Sequence, residues 1–323
     1  MTPNQYKAIE NIIFNCGGLN ANDSVLILCD ASTRQIADEF LKCTISVNPK
    51  VQLMEIPELP NHGAEPVGYA KEAMLRASLI ISLCRYSLAH SQARVDSSRI
   101  GARFLSLPLY DWALLEDECL RINYSDQAGR VRKFADAFTA GHQVHVTSEA
   151  GTNILLDITG RIGNYCPGLV KYVGDLGSPP DIEANVSPLE NCSEGIVVVD
   201  GSITMPGFGL LLAPVELEVL SGKVVEFRSD NIDYVKRLNL LFGDSNSLRR
   251  VIAECGVGLN PAAKLTGSML TDEGSLGCLH FGLGSNYTVG GLNQVDFHLD
   301  FVFRDASLTV DGKQLINLGV PLL

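Results

Sequence analysis

The sequence predicts an α/β protein, with an N-terminal parallel α/β sheet domain followed by a mostly antiparallel α+β domain that carries a metal site. Three observations carry that expectation. From Ser24 onward, apolar runs alternate with amphipathic helical stretches, the pattern of a parallel sheet covered by helices. After Gly141-His142 the chain changes to short strand-like runs separated by Gly, Pro, Asn and Asp, which favours antiparallel hairpins. Near the C-terminus, Asp296-Phe297-His298-Leu299-Asp300-Phe301 alternates strictly, so a period of two places His298 and Asp300 on one strand face. The expected domains are 1–143 and 144–323, because 323 residues exceed what one core usually organises.

In the first domain, Ser24-Val25-Leu26-Ile27-Leu28-Cys29 reads as a strand buried on both faces. Asp30-Ala31-Ser32-Thr33 supplies cap-type residues before a helix over 34–42. Val51-Gln52-Leu53-Met54-Glu55-Ile56 is a second strand, and a helix over 65–76 follows with Pro66 in its first turn. Leu79-Ile80-Ile81-Ser82-Leu83 and Arg103-Phe104-Leu105-Ser106-Leu107 are the third and fourth strands, with a helix over 91–100 between them. The turn after the first strand has no glycine, so the dinucleotide fingerprint is absent. Ser87, His90 and Ser91 follow the third strand, where open α/β sheets place functional loops. Helix capping accounts for Ser91; subunit contact or site lining is the other reading of the three. A polar helix over 126–140 ends the domain.

In the second domain, short strands are expected at 145–148, 153–159, 195–199, 217–220 and 224–228, with helices over 231–242 and 247–252. Ser221-Gly222 and Asp311-Gly312 each sit between strand-like runs as hairpin turns.

Composition narrows the function classes. An apolar share of 46% and a charged share of 19% describe an ordinary soluble chain. No apolar run reaches the ~20 residues that cross a bilayer, and the N-terminus lacks the basic and apolar regions of a signal peptide, so a cytoplasmic protein is expected. The net charge of −12 argues against nucleic acid, whose phosphates demand a concentrated positive surface. The nine cysteines include no CxxC pair and their number is odd, which fits reduced, buried thiols better than a disulfide framework.

Chemistry concentrates near the C-terminus. His280 lies in the apolar run Leu279-His280-Phe281, and with His298 and Asp300 it completes two imidazoles and a carboxylate. That set is enough to hold one divalent ion with positions left open. Taken singly, each histidine is better explained as a hydrogen-bonded sheet residue; the constellation shifts the balance. Glu254 stands alone in the glycine-rich Ala253-Glu254-Cys255-Gly256-Val257-Gly258-Leu259-Asn260-Pro261, where a carboxylate is costly unless paired or bound to a cation. Composition gives no reason to choose among Glu183, Glu190 and Glu194.

The run around Glu254, then Leu279-His280-Phe281-Gly282-Leu283-Gly284-Ser285-Asn286-Tyr287, then Phe297-His298-Leu299-Asp300-Phe301 resembles the aminopeptidase T / aminopeptidase S metallopeptidase family, in its shorter bacterial branch. Leu59-Pro60-Asn61-His62-Gly63-Ala64-Glu65-Pro66, Arg85-Tyr86-Ser87-Leu88-Ala89-His90-Ser91 and Gly151–Arg161 extend the likeness over most of the chain. The resemblance implies one or two divalent ions (Zn, Co or Mn) on Glu190, Glu254, His280, His298 and Asp300, with Glu254 and Tyr287 as catalytic groups. Glu190 is the best match to the family's first glutamate, although Leu189 stands where that family has glycine. The implied activity is a metallo-aminopeptidase-like hydrolase that cleaves a small peptide or amide next to a free amine through metal-bound hydroxide, in a homodimer.

Two other classes fit the same residues. Related sequences resemble dihydroxypyridine ring-cleaving dioxygenases, which use a single Fe(II) on two histidines and one carboxylate; His280, His298 and Asp300 would supply that set. The third reading is a non-catalytic biosynthetic accessory protein on this fold.

Overall fold

The structure is a computed structural model that describes residues 1–205 and 207–323, and the chain divides into two compact units. The first comprises Met1–Asp126 and Cys166–Asp181. Its sheet runs in the order Val51–Glu55, Val25–Cys29, Leu79–Ser82, Arg103–Ser106, Leu176–Gly177, with every pairing parallel. The three central strands are buried along their whole length, which is why they read as unbroken apolar runs. The fifth strand comes from the returning segment and has no periodicity of its own in two residues.

The connecting helices are Arg34–Ile45, Gly68–Met74 and Gln92–Arg99. Ser91 caps the last of these, its hydroxyl accepting the Arg94 N–H at 3.2 Å. The expected helix over 65–76 is shorter at its start. Glu65 instead accepts N–H bonds from Gln92 and Ala93 and so serves the next helix, while Val67 stays extended. An opening helix, Pro3–Glu10, is started by a capping box between Thr2 and Gln5.

The second unit comprises Gln127–Tyr165 and Ile182–Leu323. One of its sheets is antiparallel and, among the described residues, eight-stranded. Both expected hairpins are present in it: Val215–Leu220 with Lys223–Arg228, and Ala306–Val310 with Lys313–Asn317. Their turn pairs, Ser221-Gly222 and Asp311-Gly312, all have positive φ, as a two-residue turn matching strand twist requires. The helix Ile232–Phe242 starts at Asn231, whose side chain accepts the Asp233 and Tyr234 N–H groups. The expected helix over 247–252 is only a single 3-10 turn, Leu248–Arg250. No helix among the described residues is long and apolar enough to cross a membrane.

The other sheet of this unit places His298–Phe303, Leu279–Gly284, Ile252–Gly258 and Glu183–Val186 side by side. One face of these strands is apolar and packs on aromatic rings. Phe301 is fully buried and lies 6.4 Å from Phe227 and 5.9 Å from Phe242 between ring centres, and Phe281 stacks on Phe303 at 5.4 Å. Such pairs contribute about 0.5–1.5 kcal/mol each beyond their buried area, and they fix the strand that carries His298 and Asp300. Phe301→Ala is expected to lower the unfolding free energy by about 3–5 kcal/mol, read from chemical denaturation. A loss under about 1 kcal/mol would mean that this face is not a packed core.

Candidate metal centre

Strand register assembles the site. Across the antiparallel ladder, Glu254 pairs with Gly282 and Gly282 with Asp300; Gly256 pairs with His280, Gly284 with His298, and Gly258 with Glu183. Paired residues share a face, and a period of two carries that face along each strand. Glu183, Glu254, His280, His298 and Asp300 therefore project together from four adjacent strands. Cys255 falls on the apolar face with Phe281, and burial pushes its thiol up to about 12, so it is no member of the cluster.

Glycine makes room for the polar groups. A Cβ on Gly256 would lie 2.0 Å from His280 Nε2, and one on Gly282 would lie 2.6 Å from His298 Nε2 and 3.0 Å from Asp300 Oδ1. The imidazoles thus lie over positions that tolerate no side chain.

Two triads result, Glu183–Glu254–His280 and Glu254–His298–Asp300, each with its ligand atoms within 4.8 Å of one another. Glu254 belongs to both. Its Oε1 is 3.6 Å from His280 Nε2 and its Oε2 is 3.5 Å from His298 Nε2. His280 Nε2 also lies 3.1 Å from Glu183 Oε2, and His298 Nε2 lies 3.2 Å from Asp300 Oδ1. His280 is 1% exposed, whereas a third of the His298 side chain is open to solvent, so the His298 side is the approachable one. His298 Nδ1 donates to the Ser285 carbonyl at 2.8 Å. That bond keeps the other ring nitrogen, Nε2, turned into the cluster.

The electrostatics are those of a cation site. Burial disfavours charge at Glu254, Asp300 and both imidazoles, but the carboxylates outweigh it at the imidazoles. Asp300 and Glu254 push His298 up to about 10, and Glu183 with Glu254 and Asp300 raises His280 well above its ordinary value. Burial raises Glu254, with repulsion from Glu183 and Asp300 added. At Asp300 burial acts upward too, yet His298 and His280 hold it down to about 2. The face is therefore one of surplus negative charge that protons partly neutralise. His280 Nδ1 is buried without a hydrogen-bond partner, and Glu183 Oε2 has only the His280 Nε2 contact; a buried polar group left unsatisfied costs about 1–3 kcal/mol. Two imidazoles with carboxylates are a donor set for divalent iron, zinc or manganese, and the observed atoms fit such an ion.

Of the residues expected from sequence, the structure brings together Glu254, His280, His298 and Asp300. Glu190 lies apart: its Oε2 is ion-paired to Arg161 at 2.6 Å, and its Oε1 accepts from Asn286 and Leu292. Both oxygens are already engaged, and neither triad includes it. Tyr287 sits on the 3-10 turn Tyr287–Val289, 59% exposed, and makes no hydrogen bond to the cluster among the described residues. Glu183, not Glu190, is the second glutamate of the two triads. Its signal was local: Ile182-Glu183-Ala184-Asn185-Val186 alternates as a strand, with Glu183 and Asn185 on one face. Ser87 and Ser91 belong to the first unit, where Ser87 shares a hydrogen bond with Ser106 at 2.9 Å.

With this geometry the chain can be compared with known proteins. The family model of NicX, 2,5-dihydroxypyridine 5,6-dioxygenase, matches residues 7–322. A 2,5-dihydroxypyridine 5,6-dioxygenase of Pseudomonas putida KT2440 is 25% identical over 269 residues, 77% of this chain and 72% of that protein. The structure of 2,5-dihydroxypyridine dioxygenase from Pseudomonas putida KT2440 superposes with a TM-score of 0.85 at 20% identity, covering 100% of this chain and 98% of that one. Wild-type AmpT from Thermus thermophilus superposes with a TM-score of 0.70 at 14% identity, covering 99% of each chain. The AmpT likeness supports the fold relationship behind the aminopeptidase resemblance. The expected activity, a metallo-aminopeptidase-like hydrolase of peptides or amides, is overturned by the match of nearly the whole chain to a dioxygenase family. Motifs alone misled because a fold with such donors serves either chemistry. This chain belongs to the NicX family of 2,5-dihydroxypyridine 5,6-dioxygenases.

Proposed function

We propose that this chain is a ring-cleaving dioxygenase that uses one Fe(II) and acts on a dihydroxylated nitrogen heteroaromatic of the dihydroxypyridine class. The observation that supports it most is the convergence of His280, His298 and three carboxylates on one sheet face, in a chain of this family. The two triads that Glu254 joins, Glu183–Glu254–His280 and Glu254–His298–Asp300, would supply the ligands. When bound, iron supplies the electron-transfer chemistry between an electron-rich ring and dioxygen that no side chain offers.

The chain's own residues do the rest. His298 presents Nε2 because Ser285 holds Nδ1–H. Asp300 stays charged beside it. Glu254, whose carboxyl burial raises, is suited to take a ring-hydroxyl proton at Oε1 or Oε2. The Glu183–His280 side is closed to water, so the planar ring enters from the His298 side. The apolar face behind the strands keeps these positions from shifting.

The direct test is metal-free protein reloaded anaerobically with Fe(II), then given 2,5-dihydroxypyridine and oxygen. The expected result is consumption of one dioxygen per ring without an added reductant. Amide or peptide hydrolysis by a zinc-loaded protein, with no oxygen uptake under iron, would refute the proposal. His298→Ala and Glu183→Gln should both lose bound iron and turnover while circular dichroism is unchanged; full iron content in Glu183→Gln would remove Glu183 from the site. A pH dependence follows as well. Because the raised imidazoles carry protons that an ion must displace, Fe(II) affinity should strengthen as pH rises, about tenfold per pH unit for each proton released. Calorimetry in buffers of different ionisation enthalpy reads those protons, and an affinity flat between about pH 6 and about pH 8 would mean that the imidazoles do not bind the ion.

A further inference from the structure

One loop reaches two members of the cluster from outside it. Ser285–Asn293 follows the strand that carries His280, and its two anchor points both end on proposed ligands. At one, the Ser285 carbonyl accepts from His298 Nδ1 at 2.8 Å. At the other, the Val289 carbonyl accepts from Asn164 Nδ2 at 3.0 Å; the same amide donates to Asn185 Oδ1 at 2.7 Å, and Asn185 Nδ2 donates to Glu183 Oε1 at 2.6 Å. That last bond occupies one oxygen of Glu183 and leaves Oε2 facing His280.

The loop itself is clamped by the pair that sequence motifs had suggested for a different role. Arg161 donates to the Gly290 carbonyl at 2.6 Å and to Glu190 Oε2 at 2.6 Å. Glu190 Oε1 accepts from the Leu292 N–H at 2.6 Å and from Asn286 Nδ2 at 2.9 Å. The ion pair is largely enclosed, with 10% and 17% of its side chains exposed. Asn286 is fully buried, and a Cβ at Gly291 would fall 2.0 Å from its side-chain carbon. Glu190 thus holds Asn286, the residue next to Ser285.

We infer that Arg161 and Glu190 are positioning residues of the metal centre, aiming His298 and Glu183 through the Ser285–Asn293 loop. The inference rests on the proposed metal centre but concerns residues outside it. Partners that orient ligands typically govern about 10–100-fold in metal affinity.

The test is titration of the metal-free full chain with Co(II), reading the dissociation constant and the visible absorption bands that report ligand geometry. Glu190→Gln is expected to weaken Co(II) binding about 10–100-fold and to change the bands. Asn164→Ala, a milder break in the Val289–Asn185 link, should shift both in the same direction. Thr152→Val, which removes the two buried hydrogen bonds between that hydroxyl and the Val198 backbone in the same unit, should lower stability and leave both readings at the wild-type values. Folded Glu190→Gln and Asn164→Ala that bind Co(II) like the wild type overturn the inference, and Asn164→Ala decides alone if Glu190→Gln does not fold. A wild-type chain that binds no Co(II) and no Fe(II) overturns the inference and the proposed function together. Wild-type binding with unaltered variants overturns only the positioning roles.

Discussion

Everything at the site depends on the burial of like charge on one side of a sheet. Three carboxylates and two imidazoles stand on four adjacent strands, and a buried charge is tolerated only when something of opposite sign completes it. The fold satisfies the geometry with glycines at Gly256 and Gly282, which leave space for ring and carboxylate where any Cβ would collide. It supplies the rigidity through the aromatic packing on the other face. The negative charge that remains raises the proton affinity of His280 and His298.

Much of this was legible in the sequence, and the reasons differ from residue to residue. His298 and Asp300 are two apart in a strict alternation, so their shared face follows from strand geometry alone. Glu254 announces itself as the one charge in an apolar, glycine-rich run. Glu183 does not: the alternation of 182–186 marks it only weakly, while Glu190 is the better match to the aminopeptidase motif. What places Glu183 in the cluster is a register, Gly258 against Glu183, and a pairing between segments some 75 residues apart has no local signature. The same holds for the short fifth strand of the parallel sheet, Leu176–Gly177, which exists only because its neighbour is there.

The function was harder to read than the fold. The architecture is shared by a dioxygenase at a TM-score of 0.85 and by AmpT at 0.70, each over nearly the full chain. Hydrolysis and oxygen activation both begin with imidazoles and carboxylates around a divalent ion, so residue types at the centre do not separate them. Membership of the NicX family does. Glu190 is engaged by Arg161 and by Asn286 and Leu292 of the Ser285–Asn293 loop, and neither triad includes it.

The most direct measurement of the central claim is anomalous diffraction at the iron absorption edge from crystals loaded anaerobically with Fe(II). The account predicts a single peak per chain within bonding distance of His298 and Asp300, on the face shared with Glu254, His280 and Glu183. A peak at Glu190, two peaks on the sheet face, or no peak there at saturating iron would contradict it.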